Sequence, residues 1–199
     1  VAESAGLKPV VMDIESHAVL AGFGQVSRLL PGCGQGEVLG LVDIGASVTR
    51  LIVLRDGEVL YVRDQACGGN QLTQDMVRQY GISWDEAAAV KRSHAFPPGF
   101  ESELLAPFRD VVAHELQRAL HFFFSSTPFK TIDHLFLTGG SAMLPDMAVV
   151  LAERLGRGIS LANPFAGMAL SSHVRPKSLQ GDAGSLVLAC GLALRRFDE

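Results

Sequence analysis

The residues between 38 and 63 constrain the fold most. They contain three strand-like runs, at 38–44, 48–54 and 58–63, and the last two are separated by Asp56-Gly57. An Asp-Gly pair between alternating apolar runs is a strong signal for a tight β-hairpin. We therefore predict an antiparallel meander.

A second unit, at 132–156, has a different pattern. A short apolar run ends at Gly139-Gly140 and is followed by a helix-like segment. A strand, a glycine turn and a helix in this order place backbone amides at the carboxyl end of the strand. A strand followed by a helix is predicted at 7–23. Further helices are predicted at 69–81, at 104–120 and at 183–197, and another begins at the Ser83/Glu86 capping-box pattern. These patterns indicate an α/β fold with a mixed sheet and flanking helices.

Composition and charge narrow the range of functions. The 199 residues carry a net charge of −4, and no run of lysine or arginine occurs, so we expect no nucleic-acid partner. The apolar stretch at 183–194 is too short to cross a bilayer, so no direct membrane insertion is expected. Three cysteines and six histidines lack metal-ligand spacing.

Asp43 stands at the end of an otherwise apolar strand and precedes Gly45, Ala46 and Ser47. A turn of small residues lets several amides point at one phosphate, and a carboxylate beside it can hold a hydrated magnesium ion. Aspartate also caps turns by accepting hydrogen bonds from nearby amides. Both interpretations stay open on this stretch alone.

The turn at 137–146 also ends a strand with glycines. Glycines without side chains would let a flat base or a ribose lie on the backbone. They are equally consistent with a tight turn that binds nothing.

The two turns, in this order, resemble the second phosphate motif and the adenosine motif of the superfamily of two-lobed ATPases that contains actin, Hsp70 and FtsA. The closer resemblance is to the PilM family of actin-like type IV pilus assembly proteins, and it covers nearly the whole chain. It is carried by the segments LKPVVMDIESHAVLAGF, DIGASVTRLIVLRDGEV, GGNQLTQ, GISWDEAAAVKR, ELQRALHFFFSS, LTGGSAMLPDMAVVLAERLG and GLALRRF.

The resemblance implies an actin-like (ribonuclease H-like) lobe that binds ATP or ADP with Mg²⁺. Asp43 would hold the magnesium ion through water and lie beside the phosphates. Glu15 would position the attacking water, although Asp13 is close to it in sequence. The remaining implied contacts are phosphate-binding amides at Gly45, Ala46 and Ser47, and an adenosine border at Gly139, Gly140, Ser141 and Met143. Ser47 replaces the usual second glycine, so at most slow hydrolysis is expected.

The resemblance also implies a domain arrangement. Residues 1–36 would be the end of the first lobe with its connecting helix, and 37–199 the second lobe with a smaller inserted subdomain at about 70–130. The first phosphate motif is not found in this sequence, so weak or absent nucleotide binding is expected unless the other half of the cleft is supplied.

The implied role is that of a cytoplasmic scaffold of type IV pilus assembly and twitching motility. It would sit at the inner membrane by binding the N-terminal cytoplasmic tail of PilN, mostly through the first lobe, and would contact other pilus assembly proteins. The alternatives are an ATPase enzyme of the actin, Hsp70 or sugar-kinase type, and a filament-forming protein like FtsA.

Three other features have simpler interpretations. Glu115 and Arg118 are expected to form a helix-surface ion pair in preference to contacting a base. The aromatic run 122–124 is expected to pack in the core at a helix end. The turn-rich segment 163–182 is expected to be a connector, with a partner contact at Arg175 and Lys177 as the alternative.

Overall fold

The protein, seen here in a computed structural model that describes residues 3–9 and 12–195, is built on a five-stranded mixed sheet. Its strand order is β3-β2-β1-β4-β5. Neighbours β1 and β2, and β2 and β3, are antiparallel, whereas β4 runs parallel to both β1 and β5. The strands are β1 (Val38–Ile44), β2 (Thr49–Arg55), β3 (Glu58–Gln65), β4 (His134–Thr138) and β5 (Ile159–Leu161).

Seven helices accompany the sheet in the described part of the chain: α1 (Glu15–Ser27), α2 (Gly69–Tyr80), α3 (Trp84–Ser93), α4 (Ala106–Ser126), α5 (Met147–Leu155), α6 (Pro176–Asp182) and α7 (Val187–Leu194). The π-helical turn Glu101–Leu105 leads into α4, and Pro107 lies in the first turn of that helix, where its missing N–H costs nothing. Short 3-10 segments occur at Glu3–Ala5, Pro31–Gly34, Gly140–Met143 and Ala183–Leu186.

Alternate residues of each central strand face opposite sides of the sheet. On one side Val42 and Leu137 pack with apolar side chains of α2, α4 and α5 in one large buried cluster. On the other side Leu41 and Phe136 pack with α1 and Val187 in a smaller one. Both faces of the sheet centre are therefore covered.

Helices α1 and α7 cross at very short range through two glycines. A Cβ on Gly22 would overlap the carbonyl of Val187, and one on Gly191 would overlap the carbonyl of Ala18. This contact holds α1, and with it Glu15, against the side of the sheet that carries Leu41 and Phe136.

Most sequence predictions are confirmed. The meander has the predicted strands within two residues, α2 ends at Gly81 in the left-handed conformation, and Ser83 and Glu86 form the predicted capping box. Both β5 and α6 were missed. The final helix begins as 3-10 at Ala183 and becomes α-helical at Val187.

Two predictions reach beyond the described residues. The predicted strand in 7–23 has its centre at Val10 and Val11, and the last helix was predicted to run to Phe197; these three residues lie outside the described ranges. No helix among the described residues is long and apolar enough to cross a membrane.

Candidate functional site

The two turns singled out in the sequence start side by side. In the parallel pairing of β1 with β4, Asp43 and Thr138 are register partners, so both strands end at the same edge of the sheet. Gly139 lies against the Asp43 carboxylate, and a Cβ at Gly139 would overlap Asp43 Oδ1 and the carbonyl of Ile44. The two turns are therefore in direct contact.

Backbone hydrogen bonds close the first turn. The amide of Gly45 donates to the carbonyl of Val48 at 3.0 Å. The carbonyls of Gly45 and Ala46 accept from the amides of Gly69 (2.9 Å) and Asn70 (2.7 Å) at the start of α2. Gly45 thus shapes the turn, but its own amide is already used there, which corrects the expectation that this amide is available to a phosphate.

The other two predicted donors differ from Gly45. Within the described ranges the amides of Ala46 and Ser47 have no backbone acceptor. The hydroxyl of Ser47 accepts a hydrogen bond from Asn70 Nδ2 at 3.1 Å, so this side chain also fastens the turn to α2. Ala46 and Ser47 can therefore offer N–H groups to an anion.

Asp43 is partly buried, and burial raises the pKa of its carboxyl group. The nearby negative charge of Glu15 raises this pKa further, whereas Arg50, its cross-strand partner on β2, lowers it. No group in 3–9 or 12–195 donates a hydrogen bond to this carboxylate, so the structure does not support the turn-cap interpretation. A carboxylate in this setting gains from a nearby cation.

The acidic residues at the start of α1 have different surroundings. Asp13 accepts hydrogen bonds from Arg195 Nε at 2.7 Å and Arg195 Nη2 at 2.9 Å, and this pairing lowers the pKa of Asp13. Glu15 is exposed at the first position of α1, and its charge reaches Asp43. Of the two candidates for a water-positioning acid, Asp13 is thus committed to an ion pair.

The second turn is held by hydrogen bonds to Gly184. Gly139 has φ +90°, a conformation that side chains disfavour, and its amide donates to the carbonyl of Gly184 at 3.2 Å. Thr138 Oγ1 donates to the same carbonyl at 2.6 Å. Met143 packs so closely on Gly184 that a Cβ there would overlap its thioether. The turn is therefore anchored to the segment that leads into α7.

An open cavity of about 860 Å³ lies between the two turns and α2, α3 and α6. Five of the predicted site residues line it, namely Gly45, Ala46, Gly140, Ser141 and Met143. Asp43, Ser47 and Gly139 are not in its wall but belong to the turns that form it. Glu15 also lies outside the wall.

The model of the family described as Type IV pilus assembly protein PilM matches residues 1–197. The chain belongs to this family. The sequence resemblance is thereby confirmed.

Curated relatives include the ethanolamine utilization protein EutJ of Escherichia coli K12. It is 31% identical over 160 residues, which are 77% of this chain and 48% of EutJ. The chain spans about half the length of this relative.

Among solved structures, the PilM-PilN type IV pilus biogenesis complex is similar with a TM-score of 0.81 and 29% identity, over 97% of this chain and 55% of that one. MreB 5 of Spiroplasma citri bound to AMPPNP superimposes with a TM-score of 0.61 at 13% identity, over 96% and 60% of the two chains, and shows the fold alone. The expected actin-like fold is confirmed.

Lys91 on α3 is a cavity residue that sequence reasoning missed. Its Nζ donates to the carbonyl of Gly69 at 2.6 Å and to Thr73 Oγ1 at 2.8 Å, which ties α3 to the start of α2. Burial, and then the charge of Arg92, lower the pKa of Lys91 to about 8. The sequence signal was its spacing of seven from Trp84, which puts both on one helix face.

The predicted connector 163–182 was partly wrong. It ends in α6, and Lys177 and Asp182 of this helix line the cavity. Lys177 therefore borders the cavity, whereas Arg175 precedes the helix on the exposed surface.

The expected helix-surface ion pair is confirmed, whereas the expected core packing of the run 122–124 holds for Phe123 and is wrong for exposed Phe122. Glu115 and Arg118 form an ion pair of 2.9 Å. Phe123 is fully buried in the main cluster, while Arg63 covers the ring of exposed Phe122 at 4.0 Å from its centroid.

The described residues contain no cluster of three or more His, Cys, Asp or Glu side chains able to hold a metal ion. At the edge where the turns meet, Asp43 offers a carboxylate, and the negative charge of Glu15 is close to it. This donor set suits Mg²⁺, which keeps most of its waters and takes one or two protein carboxylates. It does not suit a metal that needs a complete protein cage.

Proposed function

We propose that this protein is an ATP-binding scaffold of type IV pilus assembly and that nucleotide binds in the cavity between the two turns. The observation that carries the proposal is the meeting of the turns, where Gly139 lies against Asp43 at the shared edge of β1 and β4. Ligands of open α/β sheets bind outside the carboxyl ends of the strands. Membership of the PilM family and the AMPPNP named for the related MreB 5 structure support this assignment.

In this proposal the phosphates lie at the first turn. The amides of Ala46 and Ser47 donate to phosphate oxygens, and Gly45 keeps the turn tight enough for both to point the same way. Asp43 holds a hydrated Mg²⁺ ion, which supplies positive charge beside the phosphates. Glu15 orients a water molecule, as the family resemblance implies.

The adenosine lies at the other end. Gly139 and Gly140 keep the backbone bare, while Ser141 and Met143 border the ribose and base. Ser141 Oγ lies 3.4 Å from the Gly45 carbonyl, so the two ends of the cavity share a contact. Hydrolysis is slow in this proposal, because Ser47 narrows the conformational freedom of the phosphate turn.

The proposed partner is the cytoplasmic tail of a PilN-like inner-membrane protein, as the similar PilM-PilN complex suggests. Residues 1–36 then belong to the first lobe, and 37–199 form the second, with α2, α3 and α4 as its smaller subdomain. Nucleotide acts as a signal between lobes in this account, because a ligand shifts a conformational equilibrium by its difference in affinity for the two states. The protein is cytoplasmic and reaches the inner membrane, other pilus proteins and twitching motility through partners.

Calorimetric titration of Mg-ATP into the full-length protein tests the site. Asp43→Ala should weaken binding at least about tenfold, because it removes the carboxylate beside the metal. Asp75→Ala is the matched control, since Asp75 forms a surface pair with Arg78 of 3.6 Å. Equal binding by wild type and Asp43→Ala would refute the proposed site.

The actin-like fold is also compatible with the two alternatives, an ATPase enzyme and an FtsA-like filament. Sedimentation with and without Mg-ATP separates the scaffold from the filament, and the rate of phosphate release from ATP separates the scaffold from the enzyme. A scaffold stays in the supernatant in both conditions, whereas a filament pellets with nucleotide.

A further inference from the structure

The cavity wall formed by α3 has a simple periodicity. Trp84, Ala88, Lys91 and Arg92 line the cavity at spacings of four, seven and eight residues. These spacings place all four on one face of the helix. The face runs from an aromatic ring, past a methyl group, to the half-buried ammonium group of Lys91 and the exposed guanidinium group of Arg92.

Trp84 is the single tryptophan of the chain, and 47% of its surface is exposed. Phe96, by contrast, stacks on buried Phe100 with ring centroids 4.1 Å apart. The indole is thus kept out of the core and on the cavity. Ser83 fixes the position of Trp84 along the chain, because Ser83 Oγ accepts a hydrogen bond from the Glu86 amide and thereby sets where α3 begins.

Of the two cationic residues on this wall, Lys91 and Arg92, the first already has hydrogen-bond partners. Lys91 Nζ donates to Gly69 and Thr73, so it clamps α2. Ala88 is too small to fill the space between the indole and the ammonium group. The wall therefore offers a ligand an aromatic face beside a gap.

Another part of the same cavity lining is also suited to a flat group. It consists of Gly140, Ser141, Met143 and Leu144, which contribute bare backbone, a hydroxyl, a thioether and an apolar side chain. Thioethers pack well against aromatic rings. A planar ring is the chemical group that suits both parts of the lining.

We infer that Trp84 stacks on the base of the bound nucleotide and makes the cavity selective for purines over pyrimidines. This rests on the proposed nucleotide site. Stacking on an indole strengthens with the area of the base, so a two-ring purine gains more than a one-ring pyrimidine. Trp84 is then a specificity-determining residue for the site.

The test compares Mg-ATP and Mg-CTP by calorimetry in the full-length protein, with tryptophan emission recorded in parallel. Trp84→Ala should weaken Mg-ATP binding about tenfold and Mg-CTP binding much less, so the preference for ATP shrinks. Trp84→Phe should keep most of the preference, and Trp84→Leu, which retains bulk without a ring, should lose it. Phe122→Ala is the control, because Phe122 is an exposed aromatic packed on Arg63.

In the wild type, the tryptophan emission should change on addition of Mg-ATP. The midpoint of this change should equal the midpoint of the calorimetric titration. The inference fails alone if wild type binds Mg-ATP, Asp43→Ala does not, and Trp84→Ala retains both the affinity and the ATP preference. An unchanged emission upon proven binding overturns it as well. Absence of Mg-ATP binding in the wild type overturns both the proposed function and this inference.

Discussion

The turns after β1 and β4 end at the same edge of the sheet, but they are held in opposite ways. The turn at Gly45 is closed by the hydrogen bond from the Gly45 amide to Val48 and by two amides at the start of α2. These two amides donate to carbonyls of the turn, so the N–H groups of Ala46 and Ser47 stay available. The turn at Gly139 is anchored from behind to Gly184 and leaves bare backbone in front. One end of the cavity is therefore polar and suited to anions, and the other is suited to a flat apolar group.

Alanine at Gly139 should have the largest effect on this arrangement. Its φ is +90°, and a Cβ would overlap Asp43 and Ile44, so we expect Gly139→Ala to cost about 2–3 kcal/mol of unfolding free energy. Urea unfolding measures the loss. Gly140→Ala is the control within the same turn, because a Cβ there meets no atom within 4 Å, and it should leave the unfolding free energy unchanged or raise it by up to about 1 kcal/mol. Similar costs for the two variants would contradict the contact between the turns.

Asp43→Asn should separate stability from binding. The pKa of Asp43 is raised by burial and by Glu15, so the folded protein holds this proton more tightly than the unfolded chain does. The ionised carboxylate therefore costs stability, and removing its charge should add about 0.5–1 kcal/mol at neutral pH while weakening Mg-ATP binding.

This gain has a defined pH dependence. It should be fully present above the raised folded pKa and vanish as the pH falls towards the ordinary value of 3.8. Unfolding curves at neutral and acidic pH measure it. A destabilised Asp43→Asn variant would restore Asp43 to the role of turn cap.

Lys91 provides the most specific test of the first turn, since it ties α3 to the start of α2, which contacts that turn. Its folded pKa of about 8 lies below the ordinary 10.5, so the unfolding free energy should rise between these two pH values. Between about pH 7.5 and about pH 9.5, wild type should gain about 1 kcal/mol relative to Lys91→Met, allowing for partial exposure. A constant difference between the two proteins would show that Lys91 is not buried in this way.

The sequence was sufficient where the determining signals are local. Asp56-Gly57 predicted the hairpin, and Ser83 with Glu86 predicted the start of α3, because turn and cap preferences act over a few residues. The two turns could be identified as candidate sites for the same reason.

What the sequence did not reveal depends on long-range packing. Lys91 and Trp84 become cavity residues only because α3 packs beside turns far away in the chain. The amide of Gly45 is used by Val48, which a motif does not display. Helix α6 was missed because it is short and lies among residues typical of turns, and β5 because three residues carry too little pattern.

Hydrogen exchange of backbone amides in the full-length protein, with and without Mg-ATP, tests the central claim most directly. The account predicts slower exchange at Ala46 and Ser47, at 139–143 and along the cavity face of α3, with little change at the opposite edge of the sheet near Asp133. Protection confined to other parts of the protein, while Mg-ATP is bound, would contradict the assignment of the nucleotide to the cavity between the two turns.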